Sequence, residues 1–489
     1  MIKQILKYFI LALIFQGVVV SQTKLTKSLY ENYSDYYEAE IENKRFSHED
    51  LMRVLSKYND SDIIKISTVG NSIEGREVKL IKIGTGPINV MAWSQMHGDE
   101  STATMALLDF LKFVEHEDNF ADEKNEIFKN ITLYIIPMLN PDGTERFRRR
   151  NDLDIDINRD ALRLQFPESK ILREVQLETK PKFAFNLHDQ STRYTAGNGY
   201  KVATISFLAP AYNYEKEINE VRENAMKLIS QLTDVIDEYI PGHIAKYNDD
   251  FEPRAFGDNF MKWGSSLILI ESGGWKNNYE KSFIRKINFI ALIAGFESIA
   301  NNAYSNYSTK IYDEIPENQK LLFDLLLRNV KIEKNGQEFI IDIGINQNEV
   351  STRNKRDYYF KGEVEEVGDL STFYGFDELD CKGMTIDTAN IFPEAFKNIS
   401  DLKNTNLNKI LGDGFSFVQV DSIETEEQFT SYPINLVKTG HKINNKFSIG
   451  NLANFVLKES NEIKLICVNG FLYDLRSGKK YIQNGLIFK

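Results

Sequence analysis

Two of the six histidines in this 489-residue chain stand beside groups that can hold a metal ion. His97 and Glu100 lie three residues apart in "WSQMHGDEST", between the strand-like run "EVKLIKIGTGPINVMAW" and the helix-like run "TATMALLDFLKFVE". His188 ends the apolar run "FAFNLH", and Glu271 ends "SSLILIES". Imidazoles and carboxylates are zinc ligands, and a carboxylate closing an apolar strand is costly unless it has a partner or a task. The His-x-x-Glu pair alone is a weak signal, but the set predicts a metal site with a free carboxylate beside it.

An arginine-rich stretch, "NPDGTERFRRRNDLDIDINRD", runs from residue 140 to residue 160. "NPDG" is a turn signal, because proline fixes one backbone torsion and glycine allows a positive one. Arg149, Asn158 and Arg159 supply donors suited to an oxyanion and to a carboxylate, which guanidinium groups bind through two parallel hydrogen bonds. The alternative for "FRRRN" is a solvated basic loop.

The elements that must position these groups alternate between strand-like and helix-like patterns from about residue 25 to residue 300. This alternation predicts an α/β sheet covered by helices, with His97, His188 and Glu271 at strand ends. The polar stretch 301–318, with Pro316, is typical of a linker, and short strands with Gly or Asn turns follow it. We predict a signal peptide at 1–22, a catalytic domain at 23–304, a linker at 305–318 and a small β-rich domain at 319–489.

Composition limits the possible partners and the compartment. A net charge of −12 argues against nucleic acid or an anionic membrane as a partner. Lys3 and Lys7 precede a short apolar core, which predicts a cleavable signal and a secreted or periplasmic protein, with an uncleaved anchor as the alternative. The two cysteines, Cys381 and Cys467, either pair as one disulfide or stay as buried thiols.

Six motifs together resemble the zinc carboxypeptidases of the carboxypeptidase A type. They are, in chain order, "GNSIEGREV" (70–78), "HGDE" (97–100), "NPDG" (140–143), "R-R-N…D-I-N-R-D" (149–160), "NLH" (186–188) and "LIES" (269–272). The resemblance spans residues 45–300. It implies a mixed eight-stranded sheet sandwiched by helices, one zinc ion per chain above the strand ends, and hydrolysis of the last peptide bond of substrates with a free C-terminal carboxylate.

The resemblance also implies roles by position. Glu271 matches the general base and acid, and Arg149 matches the residue that polarises the scissile carbonyl. Asn158 and Arg159 match the pair that grips the terminal carboxylate. The implied zinc ligands are His97, Glu100 and His188.

The chain departs from the family pattern where a loop tyrosine and the side-chain pocket are expected. Tyr247 has nearly the right spacing before the glutamate, but no motif anchors that alignment. Arg254 could favour an acidic C-terminal residue; a salt bridge with Glu252 or Asp258 is the alternative. The region after the linker resembles the small β-sandwich of amidohydrolases without their metal-binding barrel, which implies a domain with no catalytic site.

Three alternatives remain open at this point. The same site could act on cell-wall peptides, or as a deacylase or amidase of small N-acyl amino acids, since such substrates also carry carboxylates. The third is a peptide-binding protein without activity. Loss of Glu271 or of a metal ligand would favour the third, and none is lost.

Overall fold

The computed structural model describes residues 24–489 apart from residues 476, 478 and 481. The predicted signal peptide therefore lies outside the described residues. The described residues divide into two compact units, with the boundary between residues 320 and 321. Within the described residues, no helix combines the length and the apolar character that crossing a membrane requires.

The first unit is built on an eight-stranded sheet, in the order β1-β2-β4-β3-β5-β9-β7-β8. Strands β3, β4, β5 and β9 run parallel to their neighbours in this group, and antiparallel pairs flank them on both sides. A separate two-stranded ribbon pairs β6 with β10. The strands of the unit are β1 (Ile64–Asn71), β2 (Glu77–Ile83), β3 (Ile88–Trp93), β4 (Ile131–Ile136), β5 (Phe183–Asp189), β6 (Thr195–Ala196), β7 (Ile205–Leu208), β8 (Ile244–Lys246), β9 (Ser266–Ser272) and β10 (Asn318–Gln319).

The sheet's central strands are mostly apolar and are buried over most of their length, as expected for strands covered on both faces. Residues 24–31 are helical, and short 3-10 turns occur at Tyr33–Asp35, Ile157–Arg159 and Ala303–Asn306. The helices are α1 (His48–Ser56), α2 (Thr102–Glu115), α3 (Ala121–Asn130), α4 (Pro141–Glu145), α5 (Pro167–Thr179), α6 (Glu220–Asp237), α7 (Phe256–Lys262), α8 (Ser282–Ala300) and α9 (Lys310–Glu314). The predicted mixed eight-stranded sheet with helices is confirmed.

The segment predicted to be a linker contains a helix with a buried side chain. Within residues 305–318, helix α9 packs on the first unit, and its Tyr312 is 3% exposed. The Tyr312 hydroxyl accepts a hydrogen bond from the backbone N–H of Ala209. Tyr312 and Ile315 belong to the hydrophobic core of the first unit. The other residues of the segment are mostly polar, so its composition did not indicate this packing.

The second unit is β-rich, as predicted. It contains a nine-stranded sheet and a five-stranded sheet, with a short helix, α10 (Leu407–Gly412), and a 3-10 turn at Ile399–Asn404. Cys381 and Cys467 are buried free thiols in its core, so the thiol alternative is the one present. Its likeness to the amidohydrolase β-sandwich stays a prediction. Its strands are β11 (Leu322–Lys334), β12 (Gln337–Ser351), β13 (Tyr358–Gly368), β14 (Tyr374–Asp380), β15 (Thr385–Thr388), β16 (Asn390–Asn398), β17 (Phe415–Ser422), β18 (Phe429–Thr430), β19 (Asn435–Lys438), β20 (Phe455–Glu459), β21 (Glu462–Val468), β22 (Phe471–Asp474), β23 (Lys479–Lys480) and β24 (Gly485–Phe488).

A buried ion pair attaches the N-terminal segment to the core of the first unit. Arg285 on α8 and Asp109 on α2 are both fully buried and bonded to each other through two guanidinium nitrogens. Arg285 also donates to the carbonyls of Glu38 and Ile41, and Asp109 accepts from the backbone N–H of Glu38 and the hydroxyl of Tyr33. Each charge is therefore compensated within a dense hydrogen-bond network.

Arg285→Met should lower the free energy of unfolding by about 3–5 kcal/mol, because it leaves the Asp109 carboxylate buried without a cation. Urea unfolding followed by circular dichroism measures this. Replacing Asp109 by leucine in the same chain should restore part of the loss. The matched control is Arg53→Met, whose exposed ion pairs with Asp50 and Glu40 should matter by less than about 1 kcal/mol. Equal effects of the two arginine changes would contradict the prediction.

Candidate active site

The parallel strands β3, β5 and β9 bring the chemistry-bearing residues to one edge of the sheet. His97 lies in the turn after β3, and His188 and Glu271 lie near the ends of β5 and β9. In the β5–β9 pairing, His188 and Glu271 stand directly opposite each other. Because the carboxyl ends of parallel strands meet at one edge, residues as far apart in the chain as His97 and His188, 91 positions, become neighbours there.

The "HGDE" turn is tight and packs against the "NPDG" turn. The backbone N–H of Glu100 donates to the carbonyl of His97 at 3.1 Å, which closes the turn just before α2. A Cβ atom on Gly98 would lie 2.1 Å from the carbonyl carbon of Gly143. Any side chain at residue 98 would therefore push the two turns apart. The close approach explains the glycine at residue 98, and the carbonyls of Arg148 and Arg150 likewise leave little room for a side chain at Gly143.

Three side chains converge at the floor of a cleft of about 320 Å³. Their candidate ligand atoms all lie within 4.8 Å of one another, and no other such group of His, Cys, Asp or Glu is found among the described residues. His97 Nδ1 lies 2.8 Å from Glu100 Oε1, and His188 Nδ1 lies 2.6 Å from Glu100 Oε2. The two Nδ1 atoms are 3.1 Å apart. These residues are His97, Glu100 and His188, the three predicted zinc ligands.

Asp156 organises the other side of His97, a role that the sequence analysis missed. Its Oδ1 lies 3.2 Å from His97 Nε2 and accepts from the backbone N–H of Asn158. Its Oδ2 accepts from Arg149 Nε and pairs with Arg149 Nη2 at 2.9 Å. With its proton on Nε2, His97 donates to Asp156 and turns the Nδ1 lone pair toward Glu100 and His188. The "D-I-D-I-N-R-D" run contains this residue, but its spacing alone does not show which aspartate turns inward.

The charge balance of the cluster is visible in its pKa shifts. Burial lowers the pKa of His97, but Glu100 and Asp156 outweigh burial and raise it to about 9. Burial lowers the pKa of His188 more than Glu100 raises it. Burial favours protonation of Glu100, yet the two histidines hold its pKa well below the usual range. The site therefore favours a charged Glu100 carboxylate and a proton on His97 rather than on His188.

Glu271 is another carboxylate that lines the cleft, and it is 8% exposed. Burial raises its pKa well above the usual range, and the charge of Glu100 adds to this effect. Asp189, next to His188, accepts from Lys281 Nζ and Thr102 Oγ1, so its charge is compensated. Tyr247 lines the same cleft, and burial with the charge of Glu271 raises its pKa to about 12. Tyr247 is thus a neutral hydroxyl near the Glu271 carboxyl.

Asn158 and Arg159 line the cleft on the short helix that Asp156 caps. The Asn158 side-chain oxygen accepts from the backbone N–H of Phe256 at 2.9 Å, so its amide NH₂ is the group that can donate to a substrate. Arg159 is 39% exposed at its side chain and lies 3.5 Å from Glu252. Backbone contacts therefore hold both side chains, through the Phe256 N–H for Asn158 and the Asn158 carbonyl for Arg159.

Arg254 forms the salt bridge that the sequence analysis left open as the alternative to a role in the side-chain pocket. Its guanidinium donates to both carboxylate oxygens of Glu252, at 2.9 and 2.7 Å, which is one of the two alternatives left open by the sequence. Arg254 does not line the cleft with the histidines but a neighbouring groove. Because Glu252 and Arg254 are two residues apart in a turn, the Glu252 carboxylate reaches the Arg254 guanidinium.

Comparisons with known proteins agree with this geometry. Residues 49–232 match the family described as "Zinc carboxypeptidase". The chain is 29% identical over 144 residues to Carboxypeptidase SOL1 of Arabidopsis thaliana, covering 27% of this chain and 29% of the relative. It is 25% identical over 134 residues to Carboxypeptidase M of Mus musculus, covering 24% and 30%. The alignments thus span less than a third of each relative's length.

Two solved structures align with part of the chain. A metallo-carboxypeptidase from Burkholderia cenocepacia aligns with a TM-score of 0.43 at 16% identity, covering 53% of this chain and 70% of that chain. The carboxypeptidase A from Helicoverpa armigera aligns with a TM-score of 0.43 at 17% identity, covering 59% and 81%.

Proposed function

We propose that the chain, whose residues 49–232 match the zinc carboxypeptidase family, is a zinc-dependent metallocarboxypeptidase. It would remove C-terminal residues from peptides. The observation that carries the proposal is the convergence of His97, Glu100 and His188 within 4.8 Å, in a cleft shared with Glu271 and Arg149.

The donor set fits zinc. Two imidazole nitrogens and a carboxylate leave a position open for substrate, which is typical of a catalytic site. His97 Nδ1 and His188 Nδ1 lie 3.1 Å apart, so with both nitrogens unprotonated their lone pairs would be available to the same cation. When bound to these three residues, zinc would supply Lewis-acid polarisation of the scissile carbonyl and activation of water.

Glu271 would move the proton. Its carboxylate stands opposite His188 in the sheet and takes a proton from the attacking water. It then returns that proton to the leaving amine. Arg149 Nη1 lies 3.1 Å from His97 Nδ1, so its guanidinium reaches the place where negative charge develops on the carbonyl oxygen. A donor of this kind is typically worth about 2.7–4 kcal/mol.

Asn158 and Arg159 would select the chain end. The amide NH₂ and the guanidinium can both donate to a free carboxylate, which places the last peptide bond of the substrate in the cleft. Tyr247 would cover the bound residue from the same wall. The ion pair of Arg254 with Glu252 occupies its guanidinium, so we assign it no part in binding the terminal side chain in this cleft.

The proposal includes export. The positively charged start and short apolar core of residues 1–22 support a cleaved signal, and the substrates would then be peptides outside the cytoplasm.

Peptides amidated at the C-terminus are expected to be poor substrates. An amide leaves the Arg159 guanidinium without its carboxylate, which costs about 1.5–3 kcal/mol, or roughly ten- to a hundredfold in kcat/KM. Chromatography of free and amidated versions of one peptide measures this ratio. Arg159→Ala should erase it by slowing the free peptide.

The matched control is Arg53→Ala, an exposed arginine on α1 that does not line the cleft. It should preserve the discrimination between free and amidated ends. Equal cleavage of both peptides by the unaltered protein would show that the site is not an exopeptidase. An amidase or endopeptidase centre would then replace the carboxypeptidase proposal.

A further inference from the structure

A second depression, which we call the arginine groove, lies beside the catalytic cleft in the first unit. Its volume is about 960 Å³. Two carboxylates, those of Asp156 and Asp160, line the groove, and they are outnumbered by arginine side chains. Its arginines are Arg149, Arg150, Arg159, Arg163 and Arg254. This concentration of positive charge is opposite in sign to the chain's net charge of −12.

Part of the charge is compensated internally. Asp156 neutralises Arg149, and Glu252 neutralises Arg254. Arg159 has only the more distant contact with Glu252, at 3.5 Å.

Two arginines keep an uncompensated charge. Arg150 donates to a backbone carbonyl, that of Asp154, and Arg163 makes no ion pair within the part of the chain that the structure describes. The Asp160 carboxylate accepts two backbone N–H groups, those of Gln165 and Phe166, instead of pairing with Arg163. Both guanidinium groups are therefore available to an anion from outside.

The groove adjoins the catalytic cleft, because Arg149 and Arg159 line both. Leu162, which is 60% exposed, and Phe166 add apolar surface to the groove. A peptide held by its C-terminus in the cleft extends away from it, and its nearby residues come within the range of these charges. Exposed charges act over about 8–10 Å at ordinary ionic strength.

We propose that the arginine groove is a subsite for acidic side chains of the peptide substrate. The inference rests on the proposed peptidase function and names its substrate class, peptides that carry Asp or Glu close to the residue that is removed. Guanidinium groups bind carboxylates in a planar, two-bond geometry, and the apolar surface of Leu162 and Phe166 contacts the methylene groups of such side chains. The acceptor is a side-chain carboxylate, distinct from the terminal carboxylate bound by Asn158 and Arg159.

The test compares peptides that differ only by Glu or Gln at one of the four positions before the last residue. For at least one position, the Glu peptide should have a kcat/KM about fivefold or more above its Gln counterpart, since several exposed pairs act together. The ratio should fall as NaCl is raised. Arg150→Gln/Arg163→Gln should bring the ratio close to one while leaving the Gln peptide unchanged. Lys170→Gln, which removes an exposed charge outside the groove, should leave the ratio as it was.

Equal rates for Glu and Gln peptides at every position would overturn the groove proposal but not the peptidase. So would an equal loss on both peptides in the double variant. If no peptide is cleaved, the peptidase proposal fails, and titration calorimetry of the same peptide pairs decides the groove separately. Tighter binding of the Glu peptide, lost in the double variant, would uphold the acidic subsite, and equal affinities would reject it.

Discussion

Glu271→Gln is expected to retain zinc and to slow peptide hydrolysis by about 10²–10⁴-fold, the range for loss of a positioned acid–base group. The amide keeps the shape of the side chain but accepts no proton, so KM should change less than kcat. Burial and the charge of Glu100 raise the pKa of Glu271, which shows how strongly its environment favours proton uptake. Steady-state kinetics on one peptide measures both parameters.

Glu297→Gln is the matched control for this change. Glu297 is also a buried glutamate, and burial raises its pKa to about 7, but it lies on α8 and does not line the cleft. The control should keep its turnover. Near-normal hydrolysis by Glu271→Gln would reject the general-base role even if zinc binding were normal.

His188→Ala is expected to lose most of a stoichiometric zinc ion, which we predict at one per chain. The variant removes one of three convergent donors and leaves Glu100 and His97 unable to complete a catalytic zinc site. Elemental analysis after dialysis against zinc-free buffer measures metal per chain. His48→Ala, which removes an imidazole bonded to the Glu77 carbonyl away from the cleft, should keep the full amount. Full metal in both His97→Ala and His188→Ala would show that the site is elsewhere.

The sequence predicted the elements that position the site because each carries its own local signal. The dense apolar runs that became β5 and β9 end in His188 and Glu271, and sheet topology alone then makes these residues neighbours. "NPDG" was predicted to form a turn; in the structure it opens helix α4, and it contacts the "HGDE" turn through Gly98 and Gly143. The metal and substrate roles of these residues stay predictions.

Other features depend on contacts that no local pattern encodes. Asp156 bonds His97, Arg149 and the backbone of Asn158 at once, yet in the sequence it is one aspartate among several in an alternating run. The pairing of Arg254 with Glu252 depends on the path of a loop without periodicity. Helix α9 was hidden in a polar stretch because only Tyr312 and Ile315 of that segment contribute to the core.

The measurement that tests the account most directly is a mass-spectrometric time course of an unprotected peptide with the zinc-loaded protein. Removal of residues one at a time from the C-terminal end, prevented by a zinc chelator and restored by added zinc, is the predicted result. Release of internal fragments or of N-terminal residues, or trimming that continues at the same rate after the metal has been removed, would contradict it.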